Sequence, residues 1–233
     1  MFPQYEDVQT VYTTDAATRN RVLRNTYFLL AATMVPTVLG AWIGTSIGFS
    51  LFAGSPLISF LLFMAIAFGF FWGIERTKHS VTGVYLLLGF TFFMGLMLSR
   101  LLSVALGLGN GAQLIGVAAG GTGVIFLGMA TLSTVVKRDL SSMSKFLFIG
   151  VLILMVASVA NIWLQMPALM LTISVLALAI FSIFLLVDLQ RVVNGGETNY
   201  ISATLAVYLD VYNIFSNLLV LLMSLFGVGG NRD

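Results

Sequence analysis

Long runs of apolar residues, each closed by a short polar or glycine-rich segment, dominate the pattern of this 233-residue chain. About 20 apolar residues are enough to span the hydrocarbon core of a bilayer. The runs are continuous, whereas the strands of a membrane β-barrel alternate between polar and apolar residues. Stretches without any Lys, Arg, Asp or Glu cover residues 25–74, 79–99, 101–136, 146–187 and 211–231.

Turn and loop signals divide these stretches into seven predicted transmembrane helices. Gly48 and Pro56 split the longest stretch into two. The predicted fold is an all-α integral membrane bundle over residues 25–226, with a flexible polar tail over residues 1–24 and a short tail over residues 227–233. The predicted helices cover residues 26–47, 56–74, 81–102, 112–136, 145–165, 168–190 and 201–226.

The positive charges predict the orientation of this bundle, because cytoplasmic loops are enriched in Lys and Arg. With seven spans, only Arg232 lies on the side opposite the N-terminus, and Arg100 lies near the end of the third helix on that side. The sequence therefore predicts a cytoplasmic N-terminus and a C-terminus on the far side. Nine cations share the predicted cytoplasmic side: Arg19, Arg21, Arg24, Arg76, Lys78, Lys137, Arg138, Lys145 and Arg191.

Composition narrows the class of function. Charged residues make up 9% of the chain, against about 25% in an ordinary soluble domain, so a soluble globular protein is excluded. The net charge of +2 comes without a basic cluster that contains aromatic residues, and nucleic acid binding has no support. Since the chain has no cysteine and a single histidine, thiolate chemistry and multi-histidine metal sites are excluded.

Two aspartates lie inside predicted helices, where an ionisable side chain costs about 2.5–3.5 kcal/mol on insertion scales. Asp188 lies near the inner end of the sixth helix, and Asp210 lies deep in the seventh. On adjacent antiparallel helices the two could share a proton or bind a cation, for which Ca²⁺ is the natural candidate. In the alternative, structural interpretation, Asp188 pairs with Arg191 or Arg76, and Asp210 is hydrogen-bonded to Asn213 or a tyrosine.

Helix seven also carries a polar stripe, because Asp210, Asn213 and Asn217 recur at the spacing of one helix face. Such a face is expected to line a cavity or a neighbouring helix. The fourth helix carries closely spaced glycines, which are expected to allow close helix packing. These glycines are Gly116, Gly120, Gly121, Gly123 and Gly128.

Aspartates on the sixth and seventh of the predicted spans also raise the possibility of an intramembrane aspartyl protease. Its pattern is Tyr-Asp on the sixth span, Gly-x-Gly-Asp on the seventh and a later Pro-Ala-Leu. This chain instead has Leu186-Val187-Asp188 and Tyr208-Leu209-Asp210, with no proline after Pro167. No enzyme activity is therefore predicted.

Residues 200–215 of the last predicted helix, YISATLAVYLDVYNIF, contain Tyr-Leu-Asp followed by Asn-x-Phe. This pattern resembles that of the last helix in the Bax inhibitor family of seven-span membrane proteins. Within the family the chain is most similar to the bacterial YccA type, through the segments VLRNTYFLL at 22–30, NIWLQMPAL at 161–169 and GGETNYI at 195–201.

This resemblance implies properties that composition does not. It implies a bacterial inner-membrane protein with a periplasmic C-terminus and a central seventh helix. It implies that Asp188 and Asp210 form a proton-sensitive latch of a Ca²⁺ leak, with Arg76 as the nearest match to a basic residue on the second helix. The YccA type implies a regulator of the membrane protease FtsH that is also its substrate, and residues 1–24 would give that protease a loose end to grip.

Overall fold

The part of the chain that the structure describes forms seven long helices and contains no β-strand. The structure is a computed structural model and describes residues 5–49 and 56–227, with residues 5–18 and residue 56 described by their backbone alone. Every helix contains a stretch long and apolar enough to cross a membrane, which confirms the predicted fold class. The helices are α1 (Tyr5–Ser46), α2 (Pro56–Thr77), α3 (Val81–Leu106), α4 (Gly111–Val135), α5 (Met143–Leu164), α6 (Pro167–Val193) and α7 (Tyr200–Phe226).

Helix α1 is longer than the sequence predicted, because it begins at Tyr5 and includes most of the predicted tail. Residues 5–24 contain neither glycine nor proline, so no strong helix breaker precedes the apolar span. Val22 is buried against Val192 and Ala203, which puts the start of the packed bundle before residue 25. Residues 1–4 of this tail and 228–233 of the C-terminal tail lie outside the described residues, and the flexibility of the tails stays a prediction.

Helix α7 lies at the centre of the bundle, as the family resemblance implied. It packs against α1, α3, α4 and α6 and touches α2, whereas α5 packs on α6 at the edge. Its buried side chains include Val207, Ile214 and Leu219, none of which is exposed. The polar residues of α7 are therefore held between helices.

Helices α1 and α3 approach each other closely at two glycines. A Cβ atom at Gly95 would overlap the carbonyl oxygen of Thr37, and one at Gly40 would overlap that of Phe92. Small residues allow this backbone approach between membrane helices.

Most glycines of α4 do not lie at a contact with another helix, although the sequence predicted that they allow close helix packing. Only Gly121 meets a neighbouring side chain, Leu218 of α7, whereas a Cβ added at any of the other four predicted glycines would meet no atom within 4 Å. The reason is rotational, since these four lie on the part of α4 that the other described helices leave uncovered. The packing interpretation was therefore wrong for all of them except Gly121.

Long-range hydrogen bonds join connections at each end of the bundle. At one end the Asn110 side chain donates to the carbonyl oxygen of Phe226 at 3.3 Å. At the other, Asn199 donates to the carbonyl oxygen of Lys78 at 2.8 Å, which joins the α6–α7 connection to the α2–α3 turn. This second end is the one on which the sequence placed the nine cations.

Candidate functional site

The connection between α6 and α7 positions the two aspartates. Gly195 has a φ of +78°, a backbone conformation that glycine adopts readily, and the chain reverses here between the two helices. Asn199 then caps α7, because its Oδ1 atom accepts hydrogen bonds from the backbone N–H groups of Ile201 at 2.9 Å and Ser202 at 3.1 Å.

The structure brings Asp188 of α6 and Asp210 of α7 together. Their carboxyl groups lie within hydrogen-bonding reach of each other. Asp210 is 4% exposed, and its Oδ2 atom is buried without a donor among the described residues. The Asp188 side chain is 15% exposed. The pair is therefore shielded most strongly on the side of α7.

Of the two arginines proposed as counter-charges, Arg191 lies beside the pair and Arg76 does not. The Nη1 atom of Arg191 lies 3.6 Å from Oδ1 of Asp188, one turn away on α6. The Arg191 side chain is 46% exposed, so solvent screens this ion pair and it contributes little. The Arg76 guanidinium instead lies over the ring of Trp72, 5.3 Å from its centroid, on the same exposed end of α2.

The two asparagines of the polar stripe make their hydrogen bonds within α7 itself. The amide group of Asn213 donates to the carbonyl oxygen of Leu209 at 2.8 Å, and that of Asn217 donates to the carbonyl oxygen of Asn213 at 2.8 Å. Neither amide bonds to Asp210 in this arrangement. The hydrogen bond to Asn213 that the structural interpretation offered for Asp210 is therefore not made.

The two tyrosines that flank the stripe join α7 to other helices. The hydroxyl of Tyr208 lies 3.0 Å from Oγ1 of Thr37 on α1, and that of Tyr212 donates to the carbonyl oxygen of Met94 on α3 at 3.2 Å. Both hydroxyls are thus occupied away from the aspartates. These contacts anchor α7 on the side opposite α6.

The two carboxyl groups by themselves supply few of the ligands that a resident Ca²⁺ ion takes. Two adjacent carboxyl groups cannot both ionise cheaply without positive charge between them. Ca²⁺ takes six to eight oxygen ligands. No cluster of three or more Asp, Glu, His or Cys suited to a metal occurs within residues 5–49 and 56–227. The guanidinium group of Arg191 already lies beside Asp188, where a metal ion would have to bind.

Sequence reasoning missed Gln190, which lies two residues after Asp188 and is 2% exposed. Its Nε2 atom donates to the carbonyl oxygens of Val136 at 2.8 Å and Arg138 at 2.9 Å, and its Oε1 atom accepts from the N–H of Leu140 at 3.0 Å. It thereby fixes the α4–α5 connection to α6. An amide side chain within the last apolar turn of a span was the available signal.

Asn199 was also missed as a positioning residue. An asparagine directly before an apolar helical run is a known helix-start signal, so its capping role could have been predicted. Its second bond, to the α2–α3 turn, depends on the tertiary fold and has no local signal.

Comparisons with known proteins agree with this architecture. The family described as "Inhibitor of apoptosis-promoting Bax1" matches residues 19–227. The chain is 34% identical to "Modulator of FtsH protease YccA" of Escherichia coli, over 90% of this chain and 92% of that protein. It is 40% identical to an uncharacterized protein of Neisseria meningitidis, over 93% and 96% of the two chains, and 36% identical to an uncharacterized membrane protein of Vibrio cholerae, over 92% of each.

Fold, site and relatives together define a multi-pass protein of the bacterial inner membrane, built from seven helices around a central α7. The chain belongs to the Bax inhibitor family, and its match covers the whole of the packed bundle from Arg19 to Gly227.

Proposed function

We propose that this protein binds the FtsH protease of the bacterial inner membrane and modulates its activity. The observation that carries this proposal is the 34% identity, over nine-tenths of both chains, to a protein whose name is that of an FtsH modulator. Because the aligned region covers about nine-tenths of each chain, the similarity that favours a shared partner is not confined to one short segment.

The N-terminal part of α1 offers a handle for such a protease. The uncharged apolar stretch of α1 begins after Arg24, so residues 5–24 extend the helix by twenty residues, or about 30 Å at 1.5 Å per residue. These residues are mostly polar and lie on the side with the cations. The excess of cations on that side supports a cytoplasmic N-terminus, where an ATP-dependent protease would reach it.

Deleting residues 2–18 tests this engagement and leaves the packed part of α1 intact. We expect slower turnover of the protein by FtsH and weaker inhibition of FtsH. A matched control replaces residues 2–18 with a glycine–serine segment of the same length, which should keep turnover if FtsH needs only an unfolded end. Unchanged turnover and unchanged inhibition in the deletion variant would rule out tail engagement.

Orientation can be tested separately, because the wild-type chain has no cysteine to give background labelling. A single cysteine at Lys137 should be protected from an impermeant maleimide in intact cells, and one at Asn110 should react. The reverse pattern would place the N-terminus outside and remove the physical basis for tail engagement.

A second function, a pH-sensitive Ca²⁺ leak, is favoured by the aspartate pair. Asp188 and Asp210 join α6 to α7 by direct contact within the bundle, and the charged groups around them are Arg191 and Glu197. A change in the number of protons on the pair would change the attraction between the two helices. Ca²⁺ is the cargo in this proposal, and the pair acts as the proton-sensitive contact.

Flux measurements in proteoliposomes test the leak. Asp210→Asn removes one of the two titrating groups with little change in volume, so we expect Ca²⁺ flux that depends less on pH than in the wild type. Asp139→Asn, on the exposed α4–α5 connection, is the control and should leave the pH profile unchanged. The leak proposal fails if Asp210→Asn and the wild type have the same profile, or if neither carries flux above empty vesicles.

A further inference from the structure

A cleft of about 650 Å³ opens between α1 and α4 in the described part of the bundle. The rims carry exposed residues, Val38 and Trp42 on α1 and Ala119 and Gly123 on α4. The floor is formed by α3 and α7, where Tyr208 is 1% exposed. The cleft is thus open toward the membrane and reaches the centre of the bundle, on the side of α7 away from the aspartates.

The lining of this cleft does not attract water. It contains no charged and no amide side chain, and its polar groups are chiefly five hydroxyls. A buried water needs two to four polar partners, whereas these hydroxyls already bond to protein atoms. The bonded pairs are Thr37 with Thr33 and Tyr208, Thr45 with Ala41, Thr122 with Ala118, Tyr208 with Thr91, and Tyr212 with Met94.

The cleft lies at the depth of the lipid hydrocarbon. Its lining on α1 extends from Leu30 to Thr45, fifteen residue steps or about 22 Å at 1.5 Å per residue. The hydrocarbon core of a bilayer is about 30 Å thick, so the cleft covers most of it. The medium next to its mouth therefore consists of lipid acyl chains.

The surroundings of the cleft favour a lipid occupant. Its lining is apolar apart from hydroxyls that already bond to protein atoms, and lipid acyl chains are the apolar groups that surround a membrane span at this depth. We propose that the cleft between α1 and α4 binds one acyl chain of a membrane phospholipid, inserted between the helices down to α7. This site is independent of FtsH binding and of the aspartate pair.

Photolabelling in vesicles tests the proposal on the full-length protein. The vesicles are made of phosphatidylethanolamine and phosphatidylglycerol with a trace of phosphatidylcholine that carries a diazirine in one acyl chain. We expect adducts on the floor residues Leu98 of α3 and Phe215 of α7, in addition to adducts on outward-facing residues such as Phe146, which is 78% exposed.

Two leucine substitutions on α4 give a matched pair. Gly123 lines the cleft and Gly120 does not, and a side chain at either position starts in open space, so both variants should fold. Gly123→Leu should reduce floor labelling about tenfold by occupying the space of the acyl chain, while Gly120→Leu should leave it unchanged.

Labelling of Phe146 serves as the internal reference in each sample. Floor residues without adducts in the wild type would overturn the proposal, and a cleft filled by water or by another protein segment would give that result. Equal floor labelling in Gly123→Leu and the wild type would also overturn it, because the label would then have reached these residues by another route.

Discussion

We predict that the aspartate pair makes the stability of this protein depend on pH, and that one substitution removes this dependence. Asp188 and Asp210 lie within hydrogen-bonding reach, and Asp210 is 4% exposed. If the folded pair holds a proton that the separated groups release, the folded state binds more protons than the unfolded state. Stability must then fall as the pH rises through the range where that proton is lost.

The size of the expected stability difference follows from the repulsion between the two carboxylates at alkaline pH. Two carboxylates about 4 Å apart repel by about 4 kcal/mol at an effective dielectric constant of 20. Arg191 offsets little of this, because its side chain is 46% exposed and its closest contact with Asp188 is 3.6 Å. Asp210→Asn leaves one carboxylate and removes the repulsion, so the variant should be more stable than the wild type at alkaline pH by up to about 4 kcal/mol.

The assay is thermal unfolding in detergent, followed by circular dichroism across a pH series from acidic to alkaline. The wild type should lose stability toward alkaline pH, and Asp210→Asn should lose much less. Asp139→Asn is the control, since hydrogen bonds from Ser141 lower the pKa of Asp139, which lies fully exposed outside the membrane. Parallel curves for the wild type and Asp210→Asn would refute the shared proton.

Three further substitutions test the packing that holds this site. Gln190→Leu should destabilise the protein by about 3 kcal/mol, because it removes three hydrogen bonds at about 1 kcal/mol each, and a lower midpoint of thermal unfolding would reveal it. Asn199→Ala removes the cap of α7 and should cost about 1–2 kcal/mol in the same measurement. Gly95→Ala should cost about 1–3 kcal/mol by forcing α1 from α3, whereas Gly128→Ala has open space within α4 and should not lower the midpoint. Wild-type midpoints for Gln190→Leu, Asn199→Ala or Gly95→Ala would contradict the corresponding contact.

The sequence predicted the helices well because membrane spans carry a strong and local signal. Most predicted ends lie within about four residues of the observed ones, since Lys, Arg, proline and glycine mark where each span leaves the hydrocarbon. The N-terminus of α1 was the exception. There the apolar signal stops near Arg24, but the helix continues to Tyr5 without it.

The site was predicted in part. Asp188 and Asp210 stood out because ionisable groups inside a span are costly, and the structure brings them together. Which arginine lies beside them depends on helix rotation, and rotation is set by packing at positions such as Gly40 and Gly95 that no single helix encodes.

Polar side chains with local hydrogen bonds were the hardest to predict. Asn213 and Asn217 bond to carbonyl oxygens of their own helix, so their shared face did not indicate a cavity partner. The cleft between α1 and α4 could not be predicted at all, because it depends on the distance between helices that are far apart in sequence.

The proposed function is tested most directly by the rate at which purified FtsH degrades a membrane-protein substrate in proteoliposomes, with and without this protein. We predict slower degradation when the full-length protein is present, and a smaller effect when residues 2–18 are deleted. Equal degradation rates with and without the full-length protein, together with no co-purification of FtsH, would contradict the account.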